Sequence, residues 1–404
     1  MIAVRGGLGN FRARVFLSVG ILAFPSLVAA AEWYLQPEIS GQALYDDNRR
    51  LTPENPASEW SGIFSPSLTF GTRTPNLDVS GFARVDVYRS TDSDLNRTNE
   101  FFGLRPIYRT ALSTWRFDTD FRRDDTLTTL LAEGDPNDPV LGRFRERIRR
   151  NRVILRPSWT RTLTPLYDLK LGYLFTGTFY EDPARGQLPT NLTDNISNGI
   201  NAQLSRRLTE VDRLGVIALF DRFDERGGDG QSNNAGFQLS YARTFSETLS
   251  ADVAPGVRYT STRDQGRTFE SVGLLFNASM LKRFRASTLR VTLFQGAAPS
   301  SIGGAALLRR QIDIRWQGDI ASRWSFSIAS RAFQAERLNG VGRADDRYYV
   351  QVDPTISYQV TRELFLDAGY RLRWQKRKSD AKSATSNAFI IGLNYSWDKL
   401  AISR

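Results

Sequence analysis

The sequence predicts an all-β protein, a transmembrane up-and-down antiparallel β-barrel of about eighteen strands, with about sixteen as the alternative count. Three observations lead there. Apolar and polar residues alternate with period two along most of the chain, short turns and long connections succeed each other regularly, and the final strand is aromatic.

Taken from the N-terminus, residues 1–31 carry Arg5, Arg12 and Arg14 and no acid. An apolar run too short to cross a bilayer follows, then Ala29 and Ala31 at the positions of an A-x-A cleavage site. This predicts a signal peptide over 1–31 and a mature chain, 32–404, that forms the barrel. No later stretch is apolar for long enough to make a transmembrane helix.

Past Glu32 one unit repeats about every forty residues. Its short turns read "GTRTPN" from Gly71, "RTALST" from Arg109, "RTLTPL" from Arg161, "RRLTEV" from Arg206, "RTFSET" from Arg243, "KRFRAST" from Lys282, "DIASRW" from Asp319 and "VTRELF" from Val360. Between them lie longer connections near 46–59, 89–99, 124–148, 181–194, 225–232, 262–267, 297–304, 337–345 and 377–385. Short turns on one side and long loops on the other are the pattern of a bacterial outer-membrane barrel, with both termini on the short-turn, periplasmic side.

The strands have one oily face and one charged face. Leu364, Leu366, Ala368, Tyr370, Leu372 and Trp374 alternate with Asp367, Gly369, Arg371, Arg373 and Gln375. Leu308, Ile312, Ile314 and Trp316 likewise oppose Arg309, Gln311, Asp313 and Arg315, although Arg310 interrupts the apolar side. A sandwich core would bury these ions unpaired at several kcal/mol each, whereas a watery lumen removes that cost. Trp33, Trp115, Trp159, Trp316, Trp324 and Trp397 fall beside periplasmic strand ends, and Trp60 and Trp374 towards loop ends, as aromatic girdles require. Pro66, Pro106, Pro157, Pro255 and Pro354 lie inside strands, where bulges near the periplasmic rim are expected to accommodate them.

Composition narrows the chemistry. The chain has no Cys and no His, which excludes a Ser-His-Asp triad, a cysteine nucleophile and the usual zinc sites. No metal or cofactor is expected. A carboxylate pair remains as a catalytic arrangement, and Asp118 and Asp120 have the spacing, but Arg116 and Arg122 share their face and predict ion pairing instead. No catalytic residue is therefore assigned.

Of 54 basic side chains only six are lysines, and the net charge is +11. Inward parity assigns Arg84, Arg105, Arg116, Arg122, Arg152, Arg156, Arg258, Arg290, Arg309, Arg315, Arg331, Arg371 and Arg373 to the lumen. The aspartates Asp78, Asp86, Asp118, Asp120, Asp252, Asp313, Asp353 and Asp367 share that face. Candidate anion contacts are Arg371, Arg373, Arg309, Arg315, Arg331, Arg290, Arg156, Arg116 and Arg122, because the guanidinium fork grips carboxylates and phosphates bidentately. The longest connection carries Arg143, Arg145, Arg147, Arg149, Arg150 and Arg152. It either folds into the lumen as a constriction or extends as a strand whose arginines meet lipopolysaccharide phosphates.

The ending "IIGLNYSW" resembles the C-terminal assembly signal of outer-membrane barrels in Gly392, Tyr395 and Trp397. It departs from it at Ile390 and in the added "DKLAISR". The likeness implies recognition by the barrel-assembly machinery. With its repeated P-x-hydrophobic-x-aromatic strands, RTxS/T turns and Arg-rich loops, the stretch 32–404 resembles the β-barrel porin 2 family, outer-membrane barrels associated with exopolysaccharide production and export. It is also similar to the alginate exporter in strand number and lumen charge.

Two functions stay open at this point. One is a channel whose Arg-rich lumen passes anionic solutes or an acidic exopolysaccharide. The other is a non-conducting scaffold of a polysaccharide export or cell-surface complex. Expected partners are outer-membrane lipids and lipopolysaccharide, the assembly machinery, an anionic polysaccharide and export proteins, and no nucleic acid.

Overall fold

In the computed structural model, described over residues 32–125, 148–181, 193–228, 230–264, 266–299, 306–338, 346–378 and 380–403, nearly every alternating stretch is an extended strand. The wall begins with β1 (Glu32–Asp46), β2 (Glu59–Arg73), β3 (Leu77–Ser90), β4 (Arg97–Arg109), β5 (Ser113–Asp125) and β6 (Arg149–Thr164). It continues through β7 (Tyr167–Tyr180), β8 (Asp194–Arg207), β9 (Asp212–Arg226), β10 (Gln231–Ser246), β11 (Leu249–Asp264) and β12 (Arg267–Arg283). It is completed by β13 (Ser287–Pro299), β14 (Ala306–Ala321), β15 (Trp324–Arg337), β16 (Arg347–Gln359), β17 (Leu364–Arg377), β18 (Ala384–Ser396) and the short β19 (Leu400–Ser403).

Each strand from β1 to β17 pairs antiparallel with its successor, and β1 pairs with both β2 and β18, so the sheet closes on itself. β18 and β19 lie end to end along β1, at Glu38–Asp46 and Glu32–Leu35. The nineteen segments therefore make eighteen staves. Closure leaves no open edge, which is what allows a sheet to stand in hydrocarbon. The tail beyond Trp397, a departure from the usual ending, is thus part of the seam: Lys399 donates to Glu32 at 3.3 Å and sits 4.1 Å from the Tyr34 ring.

The recurring threonine of the short turns has a local cause. In five of them a Thr hydroxyl accepts the backbone N–H three residues on: Thr74 from Leu77, Thr110 from Ser113, Thr164 from Tyr167, Thr209 from Asp212 and Thr361 from Leu364. The side chain replaces a backbone partner and closes the turn.

Two expectations are corrected. The connection near 262–267 is not long, because β11 and β12 stay paired out to Asp264 and Arg267. The five strand prolines do not sit at bulges. Register shifts occur instead at Thr162/Thr164, Thr244/Ser246 and Asp319/Ala321. Each proline keeps its register with one neighbour, while pairing with the other skips two positions and resumes unshifted, as from Phe64↔Val87 to Ser67↔Arg84 around Pro66. A missing N–H removes a bond on one side only, so a gap suffices and no extra residue is needed.

Phe389 and Ile391, 59% and 63% exposed, lie on the outward face, as do all eight tryptophans by strand parity. Inward residues of the loop-side half are largely buried. Leu51, in the first connection, packs against Tyr349 and Ala384, so this connection reaches over the inner wall of β16 to β18. Asn48 fastens it by donating to the Thr385 carbonyl at 2.9 Å.

Candidate functional site

The side chains that could meet a solute are those the closed sheet turns inward. All thirteen arginines assigned to the lumen, and the eight aspartates, lie on that face, because pairs such as Arg290↔Arg315, Asp313↔Arg331 and Arg331↔Gln351 link them in cross-strand rows. Most of these arginines are already engaged. Arg116 binds Asp118 at 2.9 Å, Arg156 and Arg105 both reach Asp120, and Arg84 binds Asp86 at 3.1 Å. Asp118 and Asp120 therefore serve as counter-ions to arginines.

On β14 to β17 the pairing forms a lattice. Arg331 donates to Asp313, Arg371 donates to Asp353, and Gln311 and Gln351 each add a bond to one of these carboxylates. Arg373 is buried and bound to Asp46 and Ser386. Arg309 is buried with its guanidinium 4.6 Å from the Phe333 ring centre. Arg371, Arg373 and Arg309 are thus components of the wall, and little of their charge is free for a passing solute.

Arg290 and Arg315 differ. They stand directly opposite one another on β13 and β14, both exposed to the lumen, and neither forms an ion pair among the described residues. Like charges facing across a ladder destabilise a sheet, so the arrangement is stabilised whenever an external anion supplies the counter-charge. The pair lines a concavity of about 290 Å³ together with Thr292, Asp313, Arg331 and Gln351. Arg122 is half-buried and faces Arg152 across β5 and β6, and Arg152 is buried.

The arginine-rich connection divides. Arg143, Arg145 and Arg147 lie outside the described residues. From Arg149 the chain is strand. Arg149 has outward parity and reaches Glu100 at 3.7 Å, whereas Arg150 faces inward and grips Asp124 with two bonds of 2.9 and 2.8 Å. The signal peptide over 1–31 also lies outside the described residues. At the C-terminus Gly392 faces the lumen beside Gln42, while the Tyr395 and Trp397 rings meet edge-on at 4.8 Å on the lipid side. Among the described residues no cluster of three or more acidic side chains could hold a metal ion.

Sequence parity found the inward arginines but could not separate free from engaged ones. The distinction depends on which strands are neighbours and in what register. Asp46 and Ser386, the partners of Arg373, carry no local signal of that role.

A closed barrel with an apolar belt, aromatic girdles and a charged interior has the surface of an outer-membrane protein. No family model matches the chain, and no curated protein matches it, so the resemblance to the β-barrel porin 2 family rests on its sequence features alone. Among solved structures the chain is similar to OccK5 (OpdH) of Pseudomonas aeruginosa at 11% identity, over 90% of this chain and 98% of that one, with a TM-score of 0.46. OccK2 (OpdF) of the same organism, in complex with glucuronate, matches at 14% identity over 90% and 98%, with a TM-score of 0.47. OpdK with vanillate matches at 12% identity over 90% and 99%, with a TM-score of 0.45. At such identities the likeness extends to the barrel architecture alone.

Proposed function

We propose that this barrel is an outer-membrane channel that favours anionic solutes, and that the Arg290–Arg315 pair is its principal anion contact. One observation carries the reading: two exposed lumen arginines face each other with neither in an ion pair among the described residues, because Asp313 and Asp353 in the same concavity are held by Arg331 and Arg371. The pair raises the local anion concentration by focusing the field inside a low-dielectric wall. A carboxylate or phosphate bridging both guanidinium groups would bind bidentately, yet the watery lumen keeps the contact weak enough to release it.

The finer reading takes the cargo to be an acidic exopolysaccharide: the resemblance to the β-barrel porin 2 family implies an exopolysaccharide, and the lumen arginines favour an acidic one. Successive carboxylates along such a polymer could exchange over one fixed pair, so that the chain slides without a deep binding minimum. Partners in this reading are lipopolysaccharide, the assembly machinery and export proteins. Reversal potentials in planar bilayers under a salt gradient test the anion preference, and transient blockade by uronate oligomers tests the cargo.

The alternative is a non-conducting scaffold of a polysaccharide export or cell-surface complex. The burial of inward residues on the loop side, Leu307, Arg309 and Arg373 among them, favours it. A correctly folded protein that never conducts would support the scaffold and end the channel reading.

A further inference from the structure

The outer face of β4 to β7 carries a feature that neither conduction nor assembly uses. Two of the strand prolines come together there: Pro106 stands beside Phe117 in the register of β4 and β5, and Phe117 pairs with Pro157 of β6. Both prolines interrupt a ladder, at β4–β5 and β6–β7, and the sheet is hollowed at that point. The hollow has a volume of about 480 Å³ and is lined on its outward side by Pro106, Tyr108, Phe117, Pro157, Leu171 and Tyr173, with Trp115 and Trp159.

The residues are layered. Pro106, Phe117, Pro157 and Tyr173 form the row nearer the membrane centre. The next row towards the short turns is Tyr108, Trp115, Trp159 and Leu171, with the two tryptophan rings 5.5 Å apart. One further step along β6, about 7 Å, comes Arg161, which pairs with Ser113 on one side and Leu169 on the other. Arg161 is exposed, has outward parity and forms no ion pair among the described residues. Two strands on, the outward Arg206 lies 5.6 Å from the Tyr167 ring centre.

An apolar hollow, then an indole girdle, then unneutralised guanidinium groups is the order of chemistry along a phospholipid, from acyl chain through ester region to phosphate. We infer that this face of β4 to β7 is a binding site for one anionic phospholipid of the short-turn-side leaflet, its acyl chain in the proline hollow and its headgroup on Arg161. The site accounts for the two neighbouring prolines. An interrupted ladder costs the sheet hydrogen bonds, and here it opens a space that a straight strand would leave flat. The inference is independent of whether the lumen conducts.

The test is native mass spectrometry of the full mature barrel, refolded and equilibrated with phosphatidylglycerol and phosphatidylcholine at equal mole fraction. The protein should retain one phosphatidylglycerol in preference to phosphatidylcholine. Arg161→Gln should cut that preference about fivefold, with heat-modifiable gel mobility unchanged. Arg285→Gln, an exposed turn arginine on the far wall, should leave it intact. Leu171→Trp, which fills the hollow, should remove both lipids. Undiminished preference in Arg161→Gln, equal loss in Arg285→Gln, or full retention in Leu171→Trp would each overturn the site.

Discussion

Arg373 and Asp46 are 327 positions apart in the chain, yet their side chains meet at 2.6 Å with each only 1% exposed. Asp46 ends β1 and Arg373 lies on β17, with Ser386 of β18 bonded to both, so the cluster ties together the strands on either side of the barrel seam. Desolvated charge of this kind is tolerable only while paired. Arg373→Met should destabilise the barrel by about 3–5 kcal/mol, because it leaves Asp46 buried without its counter-ion. Urea unfolding in lipid vesicles measures this. Channel selectivity should change little, since the pair presents almost no net charge to the lumen. A large selectivity change with unchanged stability would mean that Arg373 is a solute contact after all.

The assignment of faces can be tested on two adjacent residues of β8. Ile200 points to lipid and is 57% exposed, whereas Asn201 points into the lumen. Ile200→Arg should cost about 2–4 kcal/mol if it lies near the bilayer midplane, and Asn201→Arg should cost clearly less. The reverse order in urea unfolding would invert the parity of this strand.

The tail offers a third prediction, and here the structure changes what the sequence suggests. From sequence, removing "DKLAISR" leaves an aromatic ending at Trp397 and should not affect insertion. In the fold, however, residues 400–403 pair with β1 and Lys399 holds Glu32. The deletion should therefore insert normally but unfold at lower temperature on heat-modifiable gels, while Tyr395→Ser with Trp397→Ser should impair insertion itself. Equal behaviour of the two variants would remove the assembly role from these aromatics.

What was legible in the sequence was whatever depends on neighbours along the chain. Alternation gave the strands and the inward parity of Arg290, Arg315, Arg331 and Arg371, since each strand residue fixes the face of the next. What depends on neighbours across the sheet was hidden. That Arg371 is neutralised by Asp353 while Arg315 is not follows from pairing and side-chain reach, which periodicity does not encode. The prolines misled for a related reason: a lost N–H predicts a defect but not whether a bulge or a gap absorbs it. The hollow between Pro106 and Pro157 needed the register of three strands to appear at all.

In the proposed channel Arg290 and Arg315 are the principal anion contact. Replacing both with Glu should move the reversal potential under a salt gradient towards cation selectivity. The shift should be larger at 0.1 M salt, where the Debye length is about 10 Å, than at 1 M, where it is about 3 Å. The matching double change at Arg371 and Arg373, whose charges are paired, should act mainly on stability. A stable, conducting barrel whose ion preference at 0.1 M is unaltered by Arg290→Glu with Arg315→Glu would rule this pair out as the anion contact.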